Sequence, residues 1–203
     1  MNAAINLRNV GKKYPNGKGI KSVNLTVGIG QIFGFLGPNG AGKTTTIRTL
    51  MGFMQPDKGT IEILGLDASK DSMTIKQRVG YVPADRQLYP NWTGHQHLEF
   101  YQSSRPRGDF NIAKRLGLDL TLQVKHLSTG NKQKLALTVA MIGNPQLLIM
   151  DEPTSGLDPL LQQDLYEVLR EYKQAGGTVF LSSHTLSEVE KICDSVAVIK
   201  DGR

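Results

Sequence analysis

Eight consecutive residues constrain this chain more than any others. Gly37-Pro38-Asn39-Gly40-Ala41-Gly42-Lys43-Thr44 fits the pattern G-x-x-x-x-G-K-[S/T]. The context is the one that pattern requires. The apolar run Ile32-Phe33-Gly34-Phe35-Leu36 reads as a buried strand leading into the glycines. Thr44 to Gly52 reads as a helix, with Ile47, Leu50 and Met51 on one face and Gly52 at its end. Glycines let successive backbone N–H groups turn towards one centre, and the helix that follows adds its positive end, so the loop from Gly37 to Thr45 is built to cradle phosphates. Lys43 is expected to reach the β- and γ-phosphates of ATP, and the Thr44 hydroxyl to ligate Mg²⁺. A glycine-rich connector matching by chance is the rival reading, and the flanking strand and helix weigh heavily against it.

A second segment supplies carboxylates. Leu147-Leu148-Ile149-Met150 is an apolar strand that ends in Asp151-Glu152. Two adjacent acids alone would read as a solvated strand end. Paired with the phosphate loop, Asp151 is expected beside the metal and Glu152 where it polarises a water for attack on the γ-phosphate. Catalysis of that kind rests on positioning and charge stabilisation.

The rest of the chain reads as α/β. Ile5 to Val10 alternates apolar and polar residues, Pro15-Asn16-Gly17 is turn chemistry, and Val23, Leu25 and Val27 alternate again before Gly28 and Gly30. An N-terminal antiparallel β layer follows from that pattern. From Ala84 to Leu127 strand signals fade, Pro90, Pro106 and Gly108 break the chain, and Thr93 with Gln96 forms a capping-box pattern ahead of Leu98 and Tyr101. This middle part reads as a small, mostly helical insertion. Pro159 to Ala175 is a helix with Leu161, Leu165, Val168, Leu169 and Tyr172 inward. Thr178 to Leu181 is a strand, Leu186 to Cys193 a helix, and Val196 to Ile199 a last strand. Asp201-Gly202 is hairpin-turn chemistry, and the absence of a returning strand after Arg203 suggests a C-terminally truncated chain.

Composition narrows the classes. The 203 residues suit one domain, and Cys193, the single cysteine, excludes a disulfide framework or thiolate metal cluster and fits a reducing cytoplasmic setting. Met1 to Asn6 lacks the layout of a secretory signal, and no apolar run approaches membrane-spanning length. The formal charge of +6 leaves anionic partners open, yet no run of adjacent basic residues stands out. His95 and His97, two apart on a helix, do not share a face as metal ligands would. Cys193 reads as core beside Leu186 and Val189, and Trp92 as local packing near Pro90.

Taken together, the motifs resemble the ATP-binding cassette family, the nucleotide-binding subunits of ABC transporters, over essentially the whole chain. Leu127-Ser128-Thr129-Gly130-Asn131 is similar to the family's LSGGQ signature, which in that family faces the γ-phosphate held by the opposite subunit. Ser128 and Gly130 carry that role by resemblance, while an N-cap serine is the plain alternative. Ser155-Gly156-Leu157-Asp158 is similar to the D-loop, and Asp158 before Pro159 is also a good helix start. His184 matches the switch histidine. Tyr14 sits where the family stacks an aromatic on adenine, with core packing as its rival.

The departures are specific. Gly80-Tyr81-Val82-Pro83 is followed by Ala84 where the family has a glutamine that helps bind Mg²⁺. Alanine offers no side-chain donor or acceptor, and Gln87 is a possible substitute left open. Thr129 and Asn131 replace a glycine and a glutamine of the signature, and a β-branched residue there would weaken a composite site.

The resemblance implies one ABC ATPase domain over 1–203, with the β layer and P-loop core in 1–83 and 128–203 and a helical subdomain in 84–127. It implies an Mg-dependent ATPase whose active site is completed by dimerisation with a second nucleotide-binding domain, in a homodimer or heterodimer. Transmembrane permease subunits are the implied partners, with the chain on the inner face of the cell membrane and no nucleic acid expected. The form Glu152-Pro153-Thr154-Ser155-Gly156-Leu157-Asp158 leans towards exporters. A soluble cassette ATPase acting on nucleic acid or ribosomes is the alternative. A P-loop kinase would leave Ser128 and His184 unexplained.

Overall fold

The computed structural model describes residues 3–103 and 111–203; Pro106 and Gly108, read above as chain breakers, lie outside them. Two sheets organise the chain. The strands β1 (Ala3–Lys13), β2 (Gly19–Gly28), β4 (Lys58–Ile63) and β5 (Leu66–Asp67) form an antiparallel sheet in the order β2-β1-β4-β5. The strands β3 (Ile32–Leu36), β6 (Val79–Val82), β7 (Leu147–Asp151), β8 (Thr178–Ser183) and β9 (Ser195–Val198) form a parallel sheet in the order β6-β7-β8-β3-β9. The expected α/β class and the antiparallel N-terminal layer are both present.

The parallel sheet is covered on both faces, which is why its central strands read as continuous apolar runs rather than alternating ones. Every residue of β7 and β8 is buried. Successive side chains point to opposite sides. Phe33, Phe35, Leu147, Ile149 and Phe180 therefore join the antiparallel layer and helix α1 (Lys43–Leu50) in one core. Ile32, Leu148, Met150, Val179 and Leu181 join the helices α5 (Thr129–Met141), α6 (Pro159–Gln174) and α7 (Leu186–Ile192) in a second. Each fully buried side chain of this size stabilises the fold by about 1.5–3 kcal/mol.

A third cluster lies in the middle of the chain. Leu98 on α3 (Gly94–Gln102), Ala113 on α4 (Asn111–Arg115), Val124 in a 3₁₀ turn and Leu127 pack with Leu135, Val139 and Ile142 on and just beyond α5. The capping box read from Thr93 and Gln96 is present, with both reciprocal bonds made. Helix α2 (Ser72–Arg78) connects the antiparallel layer to β6.

Some expectations need correction. Leu186 was expected on an apolar face, yet it is 56% exposed. The helix α7 spans only seven residues, and Val189 and Ile192, three apart, take its buried side. Cys193 follows the helix and packs towards Gly34, where burial pushes its thiol up to about 12. Strand β9 is an edge strand bonded to β3, so Val196 and Val198 stand exposed. The Trp92 expectation holds: its ring meets Tyr89, His97 and Phe100 at 4.4, 5.3 and 5.5 Å.

Candidate active site

The phosphate-loop residues sit between β3 and α1. Gly42 caps α1 at φ 112°, a left-handed conformation that L side chains rarely adopt, and a Cβ there would lie 2.7 Å from Ile20 Cγ2. The other end of α1 closes in a Schellman motif. Gly52, at φ 68°, donates to Thr49 O, and Phe53 donates to Arg48 O. The loop is tied to its surroundings by backbone bonds: Gly37 N donates to Ser183 O at 3.1 Å, and Gly202 N to Ala41 O at 3.0 Å. Gly202 O in turn accepts from Lys21 N, so the Asp201-Gly202 turn joins the loop to β2.

Lys43 is buried, and its ammonium is fully occupied. It donates to Gly37 O at 2.6 Å and Pro38 O at 3.2 Å, and it pairs with Glu152 Oε1 at 3.2 Å. The other Glu152 oxygen, Oε2, lies 3.2 Å from His184 Nδ1. The structure thus brings together Lys43, Glu152 and His184 from three separate motifs. Glu152 sits at φ 49°, an uncommon conformation for a non-glycine residue, directly after β7. Non-glycine residues held there cost about 1–3 kcal/mol and cluster at functional sites.

Asp151 is 1% exposed. Its Oδ1 accepts from Ser182 Oγ at 2.6 Å, and Oδ2 has no partner. Ser182 Oγ also accepts from Glu152 N at 3.0 Å, so one hydroxyl on β8 fixes both acidic residues. Sequence reading missed Ser182; its hydroxyl in a buried strand end opposite the acids was the available signal. Asp151 and Thr44 line one cavity of about 650 Å³ together with Tyr81, Ala84, Asp85, Arg86 and Gln87. Burial, and after it the Asp151 charge, push the Tyr81 phenol up to about 12. A buried carboxylate oxygen without a partner beside a threonine hydroxyl is the oxygen donor set that Mg²⁺ takes, with substrate phosphates completing the shell. No group of three or more His, Cys, Asp or Glu residues is placed to hold a metal among the described residues.

The signature-like segment stands apart. Ser128 is exposed and N-caps α5, its Oγ accepting from Asn131 N at 3.2 Å. Gly130 is buried against Leu161 of α6. Among the described residues no hydrogen bond or ion pair joins either to Lys43, Glu152 or His184. Asp158 N-caps α6, its carboxylate accepting from Leu161 N at 2.9 Å. Tyr14 is half-buried, and its hydroxyl donates to Met54 Sδ at 3.2 Å. Asn39, Gly40 and Thr45 complete the loop and the first turn of α1. Gln87 is exposed and its amide donates to Asp85.

Fold and site define a P-loop ATPase. The sequence profile of the family described as "ABC transporter" matches residues 20–155. A Nod factor export ATP-binding protein I of Burkholderia orbicola (strain AU 1054) is 35% identical over 210 residues, covering 99% of this chain and 69% of that protein. A bacitracin transport ATP-binding protein BcrA of Bacillus licheniformis is 35% identical over 215 residues, covering 100% of this chain and 69% of that protein. A solved structure described as the ATP binding subunit of an ABC transporter superposes with a TM-score of 0.89 at 30% identity, covering 98% of this chain and 87% of that one. The chain belongs to the ABC transporter family as one of its ATP-binding, ATP-hydrolysing chains.

Proposed function

We propose that this chain powers export across a membrane by binding and hydrolysing ATP, working with partner transmembrane chains and a second nucleotide-binding domain. The observation that carries the reading is the separation of the two motif groups. Lys43 and His184 each contact Glu152, while Ser128 presents an open helix start with no bond to any of the three among the described residues. A γ-phosphate held over Lys43 meets such a helix start when a second chain supplies it.

In this reading Gly37, Pro38, Asn39, Gly40, Ala41, Gly42, Thr44 and Thr45 hold the phosphates, and Tyr14 stacks on the base. Lys43 exchanges its loop carbonyls for phosphate oxygens. Glu152 orients the attacking water, and His184, on the far side of that carboxylate, fixes its direction. Thr44 and Asp151 would hold Mg²⁺, whose charge would offset the negative charge that develops on the phosphate oxygens. Ser128 and Gly130 complete the second copy's site. The helical insertion over 84–127 serves as a small subdomain, its described residues Leu98, Ala113 and Val124 packing on Leu135 and Val139 of α5.

Export is favoured by relatives whose printed names are an export and an antibiotic-transport ATP-binding protein. Those two are equally similar to this chain and carry different cargoes, so the cargo does not transfer to it. Among the described residues no helix is long and apolar enough to cross a membrane.

The test is a Glu152→Gln variant sized with and without Mg-ATP. Slowed hydrolysis is expected to trap an ATP-dependent dimer. A variant that stays monomeric at saturating Mg-ATP, alone and with a candidate partner domain, sinks the two-chain site.

A further inference from the structure

Where the family carries a glutamine, this chain has Ala84-Asp85-Arg86-Gln87. Gln87 is turned to Asp85. Arg86 does something else. Its Nε donates to Gln133 Oε1 at 2.5 Å, on α5 five positions after Ser128, and its Nη2 donates to the Ser155 carbonyl at 2.6 Å, three residues after Glu152. One guanidinium therefore holds three segments: the loop after β6, the helix that begins at the signature, and the turn leading to Asp158.

Three further facts say that this contact is built rather than incidental. Gln133 is 4% exposed and its Nε2 has no partner, so Arg86 supplies the one hydrogen bond that its side-chain amide makes among the described residues. Arg86 stands at φ 52°, a strained backbone that its surroundings must enforce. No carboxylate lies within ion-pair distance of it among the described residues, so a half-buried cation is kept on two neutral acceptors, and burial lowers its pKa. A planar fork can meet two acceptors on different elements at once; an ammonium on a flexible stem cannot do so with the same geometry.

We propose that Arg86 is a positioning residue that sets the α5 start and the 155–158 turn relative to Glu152, and so replaces the missing glutamine as the link between the nucleotide core and the signature. The proposal rests on the two-chain reading above, because it assigns the α5 start to the composite site. Arg86 touches no reacting atom. Its contribution is to turnover, with ATP affinity of the single chain left to the P-loop.

The experiment is a double-mutant cycle of Arg86→Ala and Gln133→Ala, read by kcat, by equilibrium ATP binding and by amide hydrogen exchange. Gln133→Ala is expected to lose roughly 10–100-fold in kcat, the loss of one charge-assisted hydrogen bond, and Arg86→Ala, which removes two, at least as much, each with ATP affinity within about twofold. The double variant is expected to be no worse than Arg86→Ala. Arg86→Ala should also raise exchange together in 84–88, 129–133 and 155–158. Additive losses, equal losses in affinity and kcat, or faster exchange confined to 84–88 would overturn the assignment. Arg86→Lys keeps stem and charge and guards against simple misfolding. It is expected to fall in kcat like the alanine variant, and full kcat with unchanged exchange would overturn the proposal. If the unmodified chain shows no turnover at all, the ATPase reading is what fails, and the exchange pattern alone decides on Arg86.

Discussion

The C-terminal ends of the central strands β3, β7 and β8 and the start of α5 face opposite situations. At those strand ends, the charged side chains find their partners within the chain. Lys43 closes on its own loop carbonyls and Glu152, Glu152 reaches His184, and Ser182 bonds both acids. Asp151 Oδ2 is left without a partner among the described residues. At the α5 start, Ser128 caps a single N–H and the helix end otherwise faces solvent. One half of the site is fastened by its own ion pairs and hydrogen bonds; the other is held in place from behind, by Leu161 against Gly130 and by Arg86 on Gln133. The lesson is that a site shared between chains needs its halves organised differently. The ligand-holding half is tied together by its own charged side chains, and the donated half stays open.

Three substitutions probe that contrast. Lys43→Ala should act most strongly, since it removes a buried cation aimed at developing phosphate charge. A loss of about 10²–10³ in kcat is expected, measured as phosphate release. Retained turnover would mean that the closed Lys43 contacts are structural only. Gly80→Ala attacks the support behind α5. A Cβ at Gly80 would press on the Ala140 carbonyl at the end of that helix and on Leu148 Cδ1 at 2.9 Å. Destabilisation of about 1–3 kcal/mol is expected, lowering Tm by roughly 2–4 °C per kcal/mol. An unchanged melting curve would show that α5 is seated more loosely than the packing implies. Thr93→Ala removes one half of the capping box on α3, away from Lys43 and Glu152. It should cost about 1 kcal/mol, with kcat unaltered beyond the change in folded fraction. A selective fall in kcat would tie the insertion to the Lys43–Glu152 site more directly than the contrast allows.

How much of this was legible in the sequence follows from distance along the chain. The phosphate loop is eight neighbouring residues, and its strand and helix flank it, so local chemistry suffices. Asp151 and Glu152 were legible because a wholly apolar strand precedes them. The segment from Phe53 to Val79, with β4, β5 and α2, carries short elements with mixed faces and gave no clear period. Leu186 was misplaced because a seven-residue helix has too few turns for periodicity to fix its buried side. Arg86 was invisible: its partners Gln133 and Ser155 lie 47 and 69 positions away, and nothing about one arginine in a loop announces either.

The left-handed backbone of Glu152 has a practical consequence for anyone evolving this chain. Replacing Glu152 with glycine or asparagine relaxes the peptide geometry while discarding the carboxylate proposed to direct the water. A library randomised at that position and sorted for heat resistance would therefore enrich inert molecules. Selection for hardiness and selection for work pull this one residue in opposite directions.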